Sequence, residues 1–151
     1  MAEMLVSDLK VIVFQLNEKE YAVPVGQVKS IEKIMHFTRV PHSLPFVKGV
    51  MNLRGVVTPL IDLRVRFGLA EQPYSDSSRV IIVSVADAEV GLIVDGANDV
   101  IDIPSSQIEP PPEIVGTEAA EFINGVVKLD KRLLILIDLE NILGLLENKE
   151  L

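Results

Sequence analysis

The chain has 151 residues and a mass of 16.6 kDa, enough for one domain or two small ones, and its 48% of hydrophobic residues predicts a well-filled core. A formal net charge of −8 argues against binding to nucleic acid or directly to an anionic membrane, and no apolar run approaches the ~20 residues that span a bilayer. Residues 1–10 do not resemble a signal peptide, and the absence of cysteine fits a reducing cytoplasm.

The first predicted elements are short β-strands. Residues 11–16 and 20–25 are rich in β-branched side chains and flank residues 17–19, which is typical of a hairpin with a three-residue turn. A third strand is predicted near residues 29–36.

A second hairpin follows, made of residues 49–53 and 56–61. Arg54 and Gly55 form its two-residue loop, and Gly55 supplies the positive φ that such loops demand. Pro59 has no backbone N–H to donate, so its strand is predicted to lie at an edge or to be bulged.

Helix signals come directly after this hairpin. Asp62 is a predicted N-cap for a short helix that runs through Phe67 and stops at Gly68. A second short helix is predicted in the same way, capped by Asp138 and stopped by Gly144. Residues 74–78 are polar and follow the helix, which predicts a linker.

The second half of the chain repeats the first. Residues 80–103 align with residues 11–34, and residues 122–145 align with residues 46–69. Chance would hardly match glycines and aspartates along with valines and isoleucines, so the pattern indicates a duplication with a longer middle loop in the second repeat. The matched pairs include Gly49 and Gly125, Asp62 and Asp138, Gly68 and Gly144, and Phe46 and Phe122.

Five short strands and a helical turn, present twice, predict an all-β protein. The expected architecture is two pseudo-symmetric five-stranded barrels packed together, each with a short helical turn. Residues 1–10 form a tail, residues 11–75 the first barrel and residues 76–151 the second, with Phe46 and Phe122 in the cores.

The sequence lacks the residue patterns of an enzyme. His36 and His42 have no further ligands at metal-site spacing, and Asp62 and Asp138 stand where helix caps are expected. The glycines form no phosphate-binding loop, and the serines of residues 75–78 lack the context of a nucleophile. No catalytic residue, cofactor or metal is predicted.

With catalytic, metal and cofactor sites not predicted, the remaining candidate functional features are binding surfaces. Residues 1–75 carry 9 basic and 7 acidic side chains, whereas residues 76–151 carry 5 basic and 15 acidic ones. The split is either a drift in solvated charge or a sign that the halves face different partners. The long loop of residues 104–121 is either a rigid spacer or a presented apolar contact.

The segment "GVMNLRGVVTPLIDLRVRFGL", residues 49–69, resembles the CheW family of bacterial chemotaxis coupling proteins. Residues 20–34, 90–100 and 110–114 also match segments of that family. The resemblance implies two SH3-like barrels and a non-catalytic adaptor that joins transmembrane chemoreceptors to a histidine kinase.

The resemblance also implies where partners bind. Val28, Asn52, Arg54 and Val57 match positions that contact the cytoplasmic hairpin of methyl-accepting chemoreceptors. Ser30 departs from the family pattern, because many members have an acidic residue there.

Glu109 and Ile114 are predicted to contact the regulatory domain of the kinase or the receptor array. Ile114 follows three prolines in an insertion that the first repeat lacks, so the core does not obviously require it. The resemblance further implies a protein that is monomeric when free, lies in the cytoplasm and is recruited to receptor arrays at the inner face of the membrane. One alternative is an adaptor of a chemosensory-like pathway that does not control flagella. Another, of a different class, is a small-molecule-binding β-barrel module.

The duplication provides its own control for Arg54. The equivalent hinge in the second repeat is Asp130-Lys131, so the turn itself does not require arginine. A guanidinium bonds carboxylates or helix-end carbonyls while its stem packs on apolar surface, which predicts a partner contact. The alternative is a solvated arginine that pairs locally, with Asp62 as the candidate.

Overall fold

The structure, a computed structural model, describes residues 8–41, 43–85, 87–110 and 122–149. The strands are β1 (Asp8–Leu16), β2 (Lys19–Pro24), β3 (Val28–Lys33), β4 (Val47–Leu53), β5 (Val56–Asp62), β6 (Arg79–Val85), β7 (Ala88–Val94), β8 (Gly96–Pro104), β9 (Ile108–Glu109), β10 (Ile123–Leu129) and β11 (Arg132–Ile137). The α-helices are α1 (Leu63–Arg66) and α2 (Leu139–Lys149), and 3-10 turns cover Val25–Gln27 and Ser105–Gln107. Within these ranges, neither α-helix has the length and apolar character needed to cross a bilayer.

The strands form two sheets that each combine both repeats. One has six strands in the order β9-β10-β11-β2-β1-β8, and the other has five in the order β3-β6-β7-β5-β4. Parallel pairing joins β11 to β2, with Leu134 opposite Glu20, and joins β5 to β7, with Leu60 opposite Gly91. Each parallel pairing therefore links a hairpin of the first repeat to a hairpin of the second.

The chain divides into two compact units that follow the sheets rather than the repeats. Unit 1 holds the described residues of 1–13, 19–25 and 98–151, and unit 2 holds those of 14–18 and 26–97. The units differ from the predicted division at residues 75 and 76, because the two parallel pairings exchange the first hairpins of the repeats. Asp8 already begins β1, so the predicted tail also overlaps a strand.

Each unit has its own apolar core. Phe46 is buried as predicted, whereas Phe122 is only half-buried. The core cluster of unit 1 consists of Val11, Val13, Ala22, Ile103, Val127, Leu134 and Leu136, and that of unit 2 consists of Met51, Leu53, Leu60, Val80, Ile82 and Ile93.

The matched glycines of the two repeats lie at equivalent irregularities. The register shifts at Gly49 in the β4–β5 pair and at Gly125 in the β10–β11 pair. A Cβ atom at Gly49 would overlap the carbonyl oxygen of Thr38, and one at Gly125 would lie 2.8 Å from the carbonyl oxygen of Glu109. Both positions therefore require glycine so that a preceding backbone segment can approach the strand.

Pro59 lies in β5, which is an interior strand, so the predicted edge position is wrong for the strand as a whole. The local hydrogen bonding explains how the sheet accepts it. Pro59 stands opposite Val50, whose N–H and carbonyl both bond to Thr38 instead. The parallel pairing with β7 begins only at Leu60, so no neighbouring strand requires a donor at Pro59.

The first hairpin turn and the second helix differ from prediction. The turn has two residues, Asn17 and Glu18, both with positive φ of 49° and 70°. Asp138 caps α2 as predicted, accepting from the Asn141 N–H at 3.1 Å. The helix continues through Gly144, however, because the following residues "LLENK" favour helix, whereas Gly68 takes a positive φ of 76° and ends the first helix.

Candidate functional site

The tip of the β4–β5 hairpin, residues 52–57, carries three of the predicted receptor-binding residues and is here called the first tip. Arg54 and Gly55 both have positive φ, 52° and 87°. The Asn52 side-chain oxygen accepts a hydrogen bond from the Gly55 N–H at 2.9 Å. Asn52 therefore fixes the turn, a structural role that the sequence did not predict for it.

Arg54 extends from the first tip toward β3, which lies at the opposite edge of the five-stranded sheet from β4 in the strand order. Its Nη2 donates to the Glu32 carboxylate at 3.0 Å, while 69% of its side chain stays exposed. A hydrogen bond from Ser30, together with the one from Arg54, lowers the pKa of Glu32. A local ion pair thus exists, but its partner is Glu32 and not the predicted Asp62.

Apolar surface adjoins this arginine. Val57 stands opposite Asn52 in the hairpin and is 67% exposed, and Val56 is 50% exposed. Val28 is half-buried at the start of β3, opposite Val83. The structure brings Asn52, Arg54 and Val57 together at the first tip, while Val28 lies roughly 13 Å along its strand from Glu32, at about 3.3 Å per residue.

The equivalent tip of the β10–β11 hairpin, residues 128–133, is the second tip. Asp130 takes the same φ of 52° as Arg54. The arginine of this tip is Arg132, which lies in the strand and bonds both oxygens of Glu20 at 3.0 Å and Asp99 at 3.2 Å. Leu133, the counterpart of Val57, is 53% exposed.

A buried polar network, centred on Arg64, was missed from the sequence. The Arg64 side chain is 1% exposed, and its guanidinium donates twice to Asp62 at 3.3 Å and lies 3.5 Å from Asp95. Burial lowers the pKa of Arg64, but the hydrogen bonds and charge of Asp62, together with the interactions with Asp95 and Tyr74, outweigh burial and raise the pKa. Asp62 also caps α1 through the Arg64 N–H, so the predicted cap is confirmed.

Tyr74 completes this network from the segment predicted to be a linker. Its hydroxyl donates to Asp62 at 3.0 Å, and the Arg64 guanidinium lies 5.3 Å from its ring centroid. Burial, followed by the charge of Asp62, raises the pKa of Tyr74 well above its usual range. The segment is therefore fastened to unit 2. The one available sequence signal was an arginine two residues after an aspartate within an apolar run.

The structure shows fewer contacts for the other residues that the sequence analysis singled out. Glu109 is exposed in β9, opposite Val126. Ile114 and His42 lie outside the described residues, and His36 is exposed.

Sites for small ligands are also limited. In the described part of the chain, no group of three or more His, Cys, Asp or Glu side chains is placed to hold a metal ion. Unit 2 contains a cavity of about 410 Å³ lined mainly by polar groups, including Asn17, Glu18 and Asp95. Small-molecule sites are predominantly apolar with a few polar groups, so this lining does not favour the small-molecule alternative.

Comparison with known proteins identifies the family of the chain. The CheW-like domain family matches residues 10–147 of the chain. The chain belongs to this family. A "Chemotaxis protein CheW" of Bacillus subtilis is 52% identical over 134 residues, covering 89% of this chain and 86% of that protein. Another of the same name from Klebsiella aerogenes is 39% identical over 133 residues, covering 88% and 80%.

A solved CheW-family structure gives the same result for the fold. The crystal structure of the scaffolding protein TtCheW from Thermoanaerobacter tengcongensis superposes with a TM-score of 0.82 at 38% identity, covering 87% of this chain and 90% of that one. The predicted all-β class, with two pseudo-symmetric SH3-like units, is confirmed. Membership of the family also makes the chain a non-catalytic chemotaxis scaffold rather than an enzyme.

Proposed function

We propose that the chain couples the cytoplasmic hairpin of methyl-accepting chemoreceptors to the regulatory domain of a chemotaxis histidine kinase. The names of its relatives, chemotaxis and scaffolding proteins, support this role. The observation that carries it is the first tip, where an exposed arginine is oriented by Glu32 beside exposed valines. Such a surface fits a helical partner that offers carboxylates and apolar side chains.

The receptor contact is assigned to Val28, Arg54 and Val57, with Asn52 holding the turn. Arg54 is suited to the contact because one side of its guanidinium is already fixed by Glu32. The remaining N–H groups are free to donate to a partner, and less rotamer freedom is lost on binding. Val57 supplies apolar area that the unit 2 core does not use.

The kinase contact is assigned to Glu109, which lies in unit 1, and to Ile114. The two partners then bind to different units, so binding of one leaves the affinity for the other intact. Within the cell, the free protein is a cytoplasmic monomer that receptor arrays recruit to the inner face of the membrane. An interface of standard size buries ~800 Å² on each partner, which each unit can supply separately.

Co-sedimentation tests this function. Purified protein is mixed with receptor-bearing membranes, with and without the kinase, and the pellet is assayed for all three components. We expect the protein to pellet with receptor alone and to bring the kinase with it. A protein that stays in the supernatant with receptor membranes, or that pellets without recruiting kinase, would contradict the proposal.

A further inference from the structure

Asn124 is the only asparagine of the chain that precedes a glycine. Asparagines also occur at positions 17, 52, 98, 141 and 148, where Glu, Leu, Asp, Ile and Lys follow. The backbone nitrogen of the next residue can attack an asparagine side chain, and any side chain on that next residue hinders the attack. Because glycine has no Cβ and the freest backbone, Asn124 is the asparagine at which the sequence hinders this reaction least.

Asn124 is also accessible and loosely held. The residue is exposed, and its amide nitrogen donates to the carbonyl oxygen of Ile137 at 3.5 Å, beyond the usual hydrogen-bond range. The register of the β10–β11 pair shifts between Ile123 and Gly125, so Asn124 is the extra residue of a β-bulge. The extra residue of a bulge is not paired in the ladder, which leaves its backbone more freedom to bring the two reacting atoms together.

Packing fixes the glycine of this dipeptide but not the asparagine. A Cβ atom at Gly125 would lie 2.8 Å from the carbonyl oxygen of Glu109, which is too close for any other residue. Lys48 precedes Gly49 in the equivalent bulge of the first repeat, so the bulge itself accepts a longer side chain than that of Asn124. Asn124 therefore places a reactive amide next to a glycine that the fold cannot replace.

We propose that Asn124 is a site of slow, spontaneous deamidation, which converts it to aspartate and isoaspartate. The Gly125 nitrogen loses its proton to water or hydroxide and attacks Cγ of Asn124. A C–N bond forms, the Cγ–Nδ2 bond breaks, and the former amide group takes up a proton and leaves as ammonia. Water then opens the cyclic succinimide at either of its carbonyls, so that water is consumed, ammonia is released and no oxidation state changes. One opening gives aspartate, and the other gives isoaspartate, in which the main chain runs through the former side chain.

The two products change unit 1 differently. Both replace a neutral amide by a carboxylate, in a chain whose net charge is already −8. Isoaspartate also adds a methylene group to the main chain immediately before Gly125, which is buried against β9. β9 pairs with β10 through Ile108 opposite Val127 and Glu109 opposite Val126. Isoaspartate therefore displaces Gly125 and loosens this short pairing, whereas aspartate leaves the main chain in place.

Peptide mapping of the aged protein tests the modification. The purified full chain is kept in warm, mildly alkaline buffer for several weeks, and its proteolytic peptides are analysed by mass spectrometry at intervals. We expect the peptide that contains Asn124 to gain the mass difference between an amide and a carboxyl group and to split into two products. This conversion should be at least about tenfold faster than at Asn52 or Asn141, which precede bulkier residues.

The matched control for the chemistry is Asn124→Gln, because the longer side chain closes a ring on the Gly125 nitrogen far more slowly. The bulge should accept glutamine, since its first-repeat counterpart carries Lys48. We expect this variant to gain no mass at position 124 over the same period. No gain at Asn124 in the unaltered chain, or a gain no faster than at the other asparagines, would overturn the proposal.

A second measurement separates the added charge from the lengthened main chain. Asn124→Asp carries the charge of both products without isoaspartate, and it is compared with the isoaspartate form of the aged protein, isolated by chromatography. Hydrogen exchange of the backbone amides is followed by NMR. We expect β9 and the residues of β10 opposite it to exchange at least about tenfold faster in the isoaspartate form than in Asn124→Asp. Equal exchange in the two forms would refute the loosening of β9.

Discussion

The two hairpin tips have similar turns, but their arginines make different contacts. At the second tip, Arg132 lies in the strand and its guanidinium joins β11 to Glu20 and Asp99, all within unit 1. At the first tip, Arg54 lies in the turn itself, has one carboxylate partner and remains mostly exposed. The comparison shows that the arginine of the second repeat, Arg132, links strands within its unit, whereas the arginine of the first repeat, Arg54, is exposed to solvent.

Backbone conformation sharpens the contrast. Arg54 and Asp130 share a φ of 52°, in the left-handed region. Aspartate tolerates that region comparatively well, whereas for most side chains it costs roughly 1–2 kcal/mol. The surface ion pair with Glu32 stabilises the fold by only about 0–1 kcal/mol. Folding alone therefore does not account for arginine at this position, and the first tip carries a functional demand that the second does not.

The largest expected effect concerns the exchange of hairpins between the repeats. A chain cut between residues 75 and 76 gives two fragments, each lacking strands from both sheets. We expect each fragment alone to show no cooperative unfolding transition, and the equimolar mixture to regain the β-sheet circular dichroism of the intact chain. A fragment that folds independently would show that the repeats, and not the exchanged units, are the folding domains.

The second largest effect concerns the buried arginine. Arg64→Ala leaves Asp62 buried without its charged partner, and we expect the free energy of unfolding to fall by about 3–5 kcal/mol. Urea denaturation followed by circular dichroism measures the change. Glu140, the exposed counterpart of Arg64 in the second repeat, is the control, and Glu140→Ala should cost no more than about 0.5 kcal/mol. Similar costs at the two positions would contradict the network described around Arg64.

The third prediction concerns receptor affinity. Arg54→Ala removes a central arginine and should weaken binding to the receptor hairpin by about 2 kcal/mol, a roughly thirtyfold loss. Its free energy of unfolding and its kinase binding should stay unchanged, because Arg54 is exposed and lies in unit 2. Lys131→Ala is the matched change at the second tip and should leave receptor affinity unaltered. Equal losses from both variants would mean that the tips do not differ in function.

The smallest effect concerns the carboxylate that orients Arg54. Hydrogen bonds from Ser30 and then from Arg54 lower the pKa of Glu32 in the folded protein. The charged Glu32 therefore stabilises the fold at pH values above its pKa in the unfolded chain. This stabilisation is lost as the pH falls through the pKa of Glu32 in the folded chain. Carbon-detected NMR titration should show that the pKa of Glu32 rises in Ser30→Ala and also in Arg54→Ala, because each variant removes a hydrogen bond to the carboxylate. An unchanged pKa of Glu32 in both variants would mean that neither residue holds Glu32 in its charged form.

Local features were accessible from the sequence because they depend on nearby residues. Alternating β-branched side chains and the Asp62 and Asp138 caps placed most hairpins and both helix starts. The duplication identified Arg54 as the residue that the turn does not need. Equivalent glycines at Gly49 and Gly125 were matched correctly, and the structure explains them through close backbone approach.

Features that depend on distant residues were not accessible. The parallel pairings of β11 with β2 and of β5 with β7 connect segments far apart in sequence, and no local pattern specifies them. Arg64 was missed because its burial is decided jointly by Asp62, Asp95 and Tyr74, which come from three separate segments. The Arg54 partner was mistaken for the same reason, since Glu32 reaches it only through the curvature of the unit 2 sheet.

The most direct test of the functional difference between the tips is the Arg54→Gly variant, measured for both unfolding and receptor binding. Glycine suits the left-handed turn, so we expect the free energy of unfolding to hold or to rise by about 0.5 kcal/mol. Receptor affinity should fall roughly thirtyfold, as for Arg54→Ala. Asp130→Gly, at the second tip, should change neither quantity by more than about 0.5 kcal/mol. Loss of stability in Arg54→Gly with receptor affinity retained would show that the arginine serves the fold and not the partner.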